Sequence, residues 1–388
     1  MGQGYLIDLF AGAGGFSLGA CQSGFTTRLA IDNDKDLAAS YSTNFPKTNL
    51  ILADISNVDP VVAARRAGID RGGLDGILGG PPCQGFSYMG NRDPEDPRNG
   101  LVWHFFRFVK ACEPKFFVME NVPGLITEPF ATKLHTGIDL VASRYRVIGP
   151  IKLNAADFGA ATNRLRVFVI GYRSQYIDAF AESDIEGAKM FPATVGEAIR
   201  DLPPLSSANP DSSGNFWAEY IQTFEHGSIS EYAKTARQFP PIGLANDAVR
   251  RHHAEGLVSG FAPTRHTPDV LKRFASVLPG KSDKVSKCTR LAWSEPCVAL
   301  RAGTGKDRGS YQSVRPIHPE KNRVISIREA ARIQGFPDWF QFHPTKWHSF
   351  RMIGNSVSPY VAQAVLNVIF RRMYRDLPNQ MASSRNMG

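Results

Sequence analysis

Through the first 120 residues, short apolar runs alternate with segments patterned as amphipathic helices, and few folds accommodate that order. Tyr5-Leu6-Ile7-Asp8-Leu9-Phe10 reads as a strand, followed by a glycine loop and a helix through Leu18 and Ala20. Arg28 to Asp32 reads as a second strand and Asp34 to Phe45 as a helix. Leu50 to Leu52, a helix over Val61 to Ala67, a strand ending at Gly79, a helix from about Asn99 to Cys112 and the run Phe116 to Met119 continue the pattern. Strands that alternate with helices predict an α/β fold with a doubly wound, mostly parallel sheet. Ligands of such sheets sit off the carboxyl ends of the strands. The glycine loop, Asp32, Asp54, Cys83 and Glu120 each follow a predicted strand.

A glycine loop after the first strand suggests a nucleotide cofactor. Gly12 and Gly14 begin a GxGxxG pattern, but Ser17 stands where the third glycine belongs, so a nicotinamide dinucleotide is the weaker expectation. Asp32 suits the ribose hydroxyls of an adenosine moiety, and Asp54 suits an adenine amino group. Two acids without a pyrophosphate fingerprint fit S-adenosylmethionine, which is cationic at sulfur and carries no phosphate. Taken singly, each acid is more often a helix N-cap.

Gly79-Gly80-Pro81-Pro82-Cys83-Gln84-Gly85 sets a cysteine in a turn fixed by glycine and proline. That setting displays the thiol as a nucleophile, against the plainer role of a small buried hydrophobe. Glu120, at the end of the next strand, brings a carboxyl toward Cys83, where desolvation would hold its proton near neutrality. In Asn163 to Ile170, strand alternation places Arg164 and Arg166 on one face, suited to carboxylates or phosphates.

The chain's 388 residues predict two domains, and 45 basic against 36 acidic side chains leave a net charge of +9 that suits a polyanionic partner. Five cysteines with no CxxC pair, and no histidines clustered at ligand spacing, argue against a disulfide framework and a zinc site. The N-terminus lacks the regions of a signal peptide and no apolar run is long enough to span a bilayer, so a cytoplasmic protein without membrane contact is expected. Leu202 to Ser207 reads as a linker. Beyond it, to about Asn322, the alternation fades, and Arg250 to His253, Arg265-His266 and Lys281 to Lys287 offer charge for phosphates. Gly303-Thr304-Gly305-Lys306 lacks the upstream glycine of a phosphate loop and is discounted. Ile327 to Ile333 has helical spacing, a helix follows Pro359, and the residues beyond Leu377 read as a disordered tail.

Asp8 to Gly15, Pro81-Pro82-Cys83-Gln84, Glu120-Asn121-Val122, Arg164-x-Arg166 and Gly354-Asn355-Ser356-Val357, in this order, resemble the motifs of the DNA (cytosine-5)-methyltransferase family, prokaryotic restriction-modification type. One departure is Thr162, where the family usually has glutamine. The resemblance implies the class I S-adenosylmethionine-dependent methyltransferase fold, with residues 1–200 and 326–388 as catalytic domain and 201–325 as target-recognition domain. It implies Cys83, Glu120, Arg164 and Arg166 as catalytic residues, and Phe10, Gly12, Gly14, Asp32, Asn33, Asp54, Ile55, Pro81 and Asn355 around the cofactor. Ser87, Met89, Arg92 and Arg98 fall on the loop expected to close on a flipped cytosine of duplex DNA. A monomer is expected, paired in function with a restriction endonuclease but not in a stable complex. An RNA (tRNA) cytosine-5 methyltransferase, a nicotinamide-dependent oxidoreductase and a non-catalytic DNA-binding regulator are the alternatives.

Overall fold

The computed structural model describes residues 4–70, 72–82, 100–220, 229–303 and 315–374. Its centre is a sheet built from β1 (Tyr5–Leu9), β2 (Thr26–Asp32), β3 (Asn49–Leu52), β4 (Leu74–Gly79), β5 (Phe116–Asn121), β6 (Arg146–Asn154) and, after the two-residue β7 (Thr162–Asn163), β8 (Leu165–Tyr172). The order across the sheet is β3-β2-β1-β4-β5-β8-β6, with β1 to β5 parallel and β8 antiparallel to both its neighbours. Because β1 lies between β2 and β4, the order reverses there, and the carboxyl ends of these strands frame a crevice.

Alternation along the strands explains the layers. Ile7 and Leu9 of β1 face a core shared with Phe105, Phe106 and Phe117. That core is covered by the helices α3 (Pro60–Arg66), α4 (Leu101–Cys112) and α5 (Phe130–Asp139), named after the shorter α1 (Gly15–Gln22) and α2 (Tyr41–Asn44). Leu6 faces the other way, into a core with Phe16, Phe168 and Leu366. Each such aromatic or leucine, fully withdrawn from water, contributes about 1.5–3 kcal/mol.

Three short helices, α6 (Glu182–Glu186), α7 (Val195–Ile199) and α8 (Glu231–Ala236), precede α9 (Asp247–Ala254) and α10 (Pro268–Ala275). This part also holds β9 (Asn209–Pro210), β10 (Phe216–Glu219) and β11 (Leu257–Ser259) in a small antiparallel sheet, and β12 (Cys297–Val298), which pairs with β7. The chain returns to the main sheet through α11 (Ile327–Gln334), α12 (Lys346–Asn355) and α13 (Pro359–Met373). α13 lies on α1, where Gly19 sits against the Ala362 side chain. One apolar cluster runs from Ala11 and Phe45 to Phe340, Ile325 and Val258, so the second part of the chain shares a core with the first.

The expected helix over Asp34 to Phe45 is reduced to Tyr41–Asn44. Asp34 Oδ1 accepts from the Asp36 and Leu37 backbone N–H groups at 3.0 and 3.1 Å, and this local bonding draws the preceding segment into turns. The strand expected from Asn163 begins at Leu165, with Arg164 at the break between β7 and β8. The expected tail beyond Leu377 lies outside the described residues.

Candidate active site

At the end of β5 the Glu120 side chain is buried to 8% exposure beneath the guanidinium of Arg166, whose Nε stands 3.0 Å from Glu120 Oε1. The two form an ion pair, and among the described residues Oε1 has no hydrogen-bond partner beyond that contact. Burial pushes the Glu120 carboxyl up, against the opposing pull of Arg166 and then Arg164. Arg164 is itself 2% exposed; its Nη1 donates to the Leu300 carbonyl at 3.3 Å, while its Nε has no hydrogen-bond partner among the described residues. Burial, then the like charge of Arg166, pull the Arg164 guanidinium down, with Glu120 acting against them. Glu120, Arg164 and Arg166 line one small cavity, closed on its far side by Val357 and Val361.

The turn after β4 lies against this group. Asn121 Nδ2 donates to the Pro81 carbonyl at 3.2 Å, and a Cβ added at Gly80 would sit 3.4 Å from Glu120 Oε2. The chain therefore leaves Pro82 toward Cys83 from beside the carboxylate. Cys83, Ser87, Met89, Arg92 and Arg98 lie outside the described residues, as do Thr304, Gly305 and Lys306.

Across the switch point, the loop after β1 turns back under β2. Phe10 adopts a left-handed backbone with φ of 58°, and Ala11 donates to the Ile31 carbonyl at 3.1 Å. The Gly12 N–H donates to Asp32 Oδ2 at 2.8 Å, and the Gly14 N–H to the Ala11 carbonyl at 2.8 Å. Asp32 Oδ1 accepts from the Asp34 N–H at 2.8 Å. These loop donors are held internally, which does not fit a pyrophosphate cradle and does fit a donor without phosphate. Asp32 is buried to 8% exposure and burial pushes its carboxyl up, against the Asp34 and Gly12 hydrogen bonds. Asn33 beside it is exposed.

Asp54 is exposed; Oδ1 accepts from the Ser56 hydroxyl at 2.7 Å and the Ser56 N–H at 2.8 Å, which hold its carboxyl below the usual range. It is thus an N-cap as well as a strand-end acid. Ile55 is buried, and Arg107 of α4 fixes this turn through the Ile55 and Val58 carbonyls at 2.6 and 3.0 Å. From the carboxyl end of the chain, Asn355 is the exposed last residue of α12, and Ser356-Val357 lie so close to Gly15 that a Cβ there would overlap the Val357 carbonyl.

Sequence reasoning missed the polar group under the glycine loop. Ser17 Oγ donates to Asp8 Oδ2 at 2.6 Å and meets the Tyr41 hydroxyl at 2.6 Å, all three residues being buried. Burial pushes the Asp8 carboxyl up to about 7, with the Ser17 hydrogen bonds opposing. The serine at the third glycine position was the available signal, because a hydroxyl facing a strand needs a partner. Thr162 is fully buried, its hydroxyl without a hydrogen-bond partner among the described residues and its backbone paired with Cys297.

A separate cleft, bounded by Phe216, Gly260, Arg328 and Phe342, is chemically closed. The Arg328 guanidinium there donates to the Ser259, Pro337 and Phe340 carbonyls at 2.9, 2.8 and 2.8 Å. Among the described residues no group of histidine, cysteine and acid side chains is arranged to hold a metal ion, and no helix is long and apolar enough to cross a membrane.

Residues 5–371 match the profile of the C-5 cytosine-specific DNA methylases. The Type II methyltransferase M.XorII of Xanthomonas oryzae pv. oryzae is 39% identical over 390 residues, spanning 97% of this chain and 87% of that protein. The Type II methyltransferase M.DdeI of Desulfomicrobium norvegicum is 34% identical, with 93% and 87% covered. Among solved structures, one described as a DNA modification methyltransferase encoded within an E. coli prophage superposes with a TM-score of 0.83 at 37% identity, covering 95% of this chain and 99% of that one. The S. pombe Dnmt2 methyltransferase shares the fold, with a TM-score of 0.57 at 15% identity over 95% of this chain and 99% of that one.

Proposed function

Since this chain belongs to the C-5 cytosine-specific DNA methylase family and is a DNA cytosine-5 methyltransferase, we propose how its own residues carry out the transfer. The observation that supports the reading best is Glu120: a buried carboxylate whose Oε1 is ion-paired to Arg166 and whose Oε2 lies beside the turn that leads to Cys83. Carbon 5 of cytosine is a poor nucleophile. Attack of the Cys83 thiolate on carbon 6 turns the ring into an enamine whose carbon 5 can accept a methyl group. Glu120 hydrogen-bonds N3 and the exocyclic amino group as charge develops, Arg166 fixes the Glu120 carboxylate, and Arg164 meets the base O2. A base then removes the carbon-5 proton and the thiolate leaves.

S-adenosylmethionine, when bound, supplies the electrophilic methyl group. Asp32 would take its ribose hydroxyls, Asp54 its adenine amino group, and Phe10, Gly12, Gly14, Asn33, Ile55, Pro81 and Asn355 would form the walls. The internally bonded loop supports this choice over a dinucleotide. Residues 1–200 and 326–388 form the catalytic part in this reading, and 201–325 the part that reads duplex DNA, with the lysines of Lys281–Lys287 on its exposed surface. Ser87, Met89, Arg92 and Arg98 contact the flipped-out target strand, and a restriction endonuclease is the functional counterpart, acting without a stable complex.

Base-resolution methylation sequencing of DNA from cells expressing the protein tests the reading. We expect 5-methylcytosine at one recurring sequence, and none with Cys83→Ala. Unmodified DNA from the wild type, or modified DNA from Cys83→Ala, would overturn it.

A further inference from the structure

α12 ends at Asn355, and one helical turn earlier, on the same face, stands Arg351. Its Nη2 lies 2.5 Å from Asp34 Oδ2, the two side chains being 30% and 21% exposed. Asp34 is not an isolated surface acid. Its other oxygen accepts from the Asp36 and Leu37 N–H groups, which fixes the turn, and its own N–H donates to Asp32 Oδ1 at 2.8 Å. Asp32 Oδ2 in turn accepts the Gly12 N–H at 2.8 Å. An unbroken series of contacts therefore runs from α12 through Asp34 and Asp32 to the glycine loop. A looser contact runs in parallel, from His348 Nδ1 to Asp36 Oδ2 at 3.8 Å.

The arrangement has a physical consequence at Asp32. A carboxylate in a mostly buried position rotates unless both oxygens are held, and each backbone donor is only as well placed as the turn that carries it. Arg351 is the charged group that holds the Asp34 turn from across the cleft. Asn355 stands one turn on from Arg351, on the same helical face. The helix that closes the pocket and the loop that begins it are thus joined through the predicted ribose acid.

We propose that Arg351 is a positioning residue for the methyl donor: by its ion pair with Asp34 it fixes the Asp32 carboxylate in the orientation that receives the ribose hydroxyls. The proposal rests on the assignment of S-adenosylmethionine to this cleft and adds a residue outside the motifs by which the family is resembled. Arg351 touches neither the donor nor the cytosine. Its effect is therefore on donor affinity more than on turnover.

Calorimetric titration of the full-length protein with S-adenosylmethionine, alongside steady-state kinetics on duplex DNA, tests this. Arg351→Gln should weaken donor binding roughly fivefold to tenfold, and raise the donor KM in step, while kcat at saturating donor falls less than about twofold. Arg351→Lys keeps the charge and should recover most of the affinity. Asp34→Asn keeps the acceptor for the turn but loses the charge, and should weaken binding by a similar factor. The double variant Arg351→Gln/Asp34→Asn should be no weaker than either single one, because both remove one interaction. Affinity of Arg351→Gln within about twofold of wild type, or additive losses in the double variant, would overturn the proposal. If Arg351→Gln fails to fold, Arg351→Lys and Asp34→Asn decide it by the same titration. Failure of the wild type to bind S-adenosylmethionine would instead overturn the donor assignment beneath it.

Discussion

Two buried charge clusters in this molecule look alike by composition and differ in how far their valences are filled. Around Arg332, every N–H of the guanidinium meets an oxygen: Nε and Nη2 reach Asp338 at 2.6 and 2.7 Å, Nη1 and Nη2 reach Asp201 at 3.0 Å each, and Nη1 also reaches the Ala198 carbonyl at 3.0 Å. Arg237 closes on Asp201 at 2.8 Å and the Tyr220 hydroxyl on Asp338 at 2.8 Å. Burial alone would lower the Arg332 pKa, yet Asp338 and Asp201 outweigh it and push it up. Around Glu120 the opposite holds. Among the described residues Glu120 Oε1 has only its ion pair with Arg166 and Arg164 Nε has no hydrogen-bond partner, and the Arg164 guanidinium is pulled down. A filled network rigidifies the joint between α7, α8 and α11, whereas open valences in a buried site are costly unless a ligand fills them.

The comparison is broken if the two clusters respond alike to substitution. Glu120→Gln keeps size and most contacts but removes the carboxylate, so kcat should fall by about 10²- to 10⁴-fold with little change in melting temperature. Arg332→Met removes the central cation and leaves Asp201 with Arg237 and Asp338 with the Tyr220 hydroxyl and the more distant Arg328, and should cost about 3 kcal/mol of stability in denaturant titration, with activity per folded molecule retained. A third, smaller effect concerns Asp8, whose carboxyl is raised from 3.8 to about 7. The folded state binds this proton more tightly than the unfolded one, so the contribution to stability is fully present below pH 3.8 and is lost as pH rises from there to about 7. Melting temperatures measured across that window should show the decline in wild type and a flatter profile in Asp8→Asn. Smallest of all, the exposed pair of Arg144 with Glu113 should contribute no more than about 1 kcal/mol, and Arg144→Ala should leave both activity and melting nearly unchanged.

Much of the open cluster was legible in the sequence, and almost none of the filled one. Glu120 is found because it follows a predicted strand, and Arg164 and Arg166 because their spacing puts them on one face, properties local to the chain. Arg332 and Asp201 are 131 positions apart, and no local pattern brings them together. The Asp34 to Phe45 segment misleads for a related reason: its apolar spacing is helical, but the Asp34 carboxylate captures the backbone donors of the first turn. Ser17 was read as a missing glycine, when its hydroxyl is a partner that Asp8 and Tyr41 require. Arg351 matched no motif, and its importance depends on an acid more than 300 residues earlier, which only the fold places beside it.

The most direct test follows the covalent step on duplex DNA containing 5-fluorocytosine with S-adenosylmethionine present: fluorine replaces the carbon-5 proton and cannot be removed by a base, so the thiolate cannot leave. Adduct formation would be timed for wild type, Glu120→Gln and Arg332→Met at equal concentrations of folded protein, with the modified peptide mapped by mass spectrometry. An adduct is expected on Cys83 in the wild type, formed about 10²- to 10⁴-fold more slowly by Glu120→Gln and at the wild-type rate by Arg332→Met. No adduct in the wild type, an adduct on another residue, or equal slowing in the two variants would contradict it.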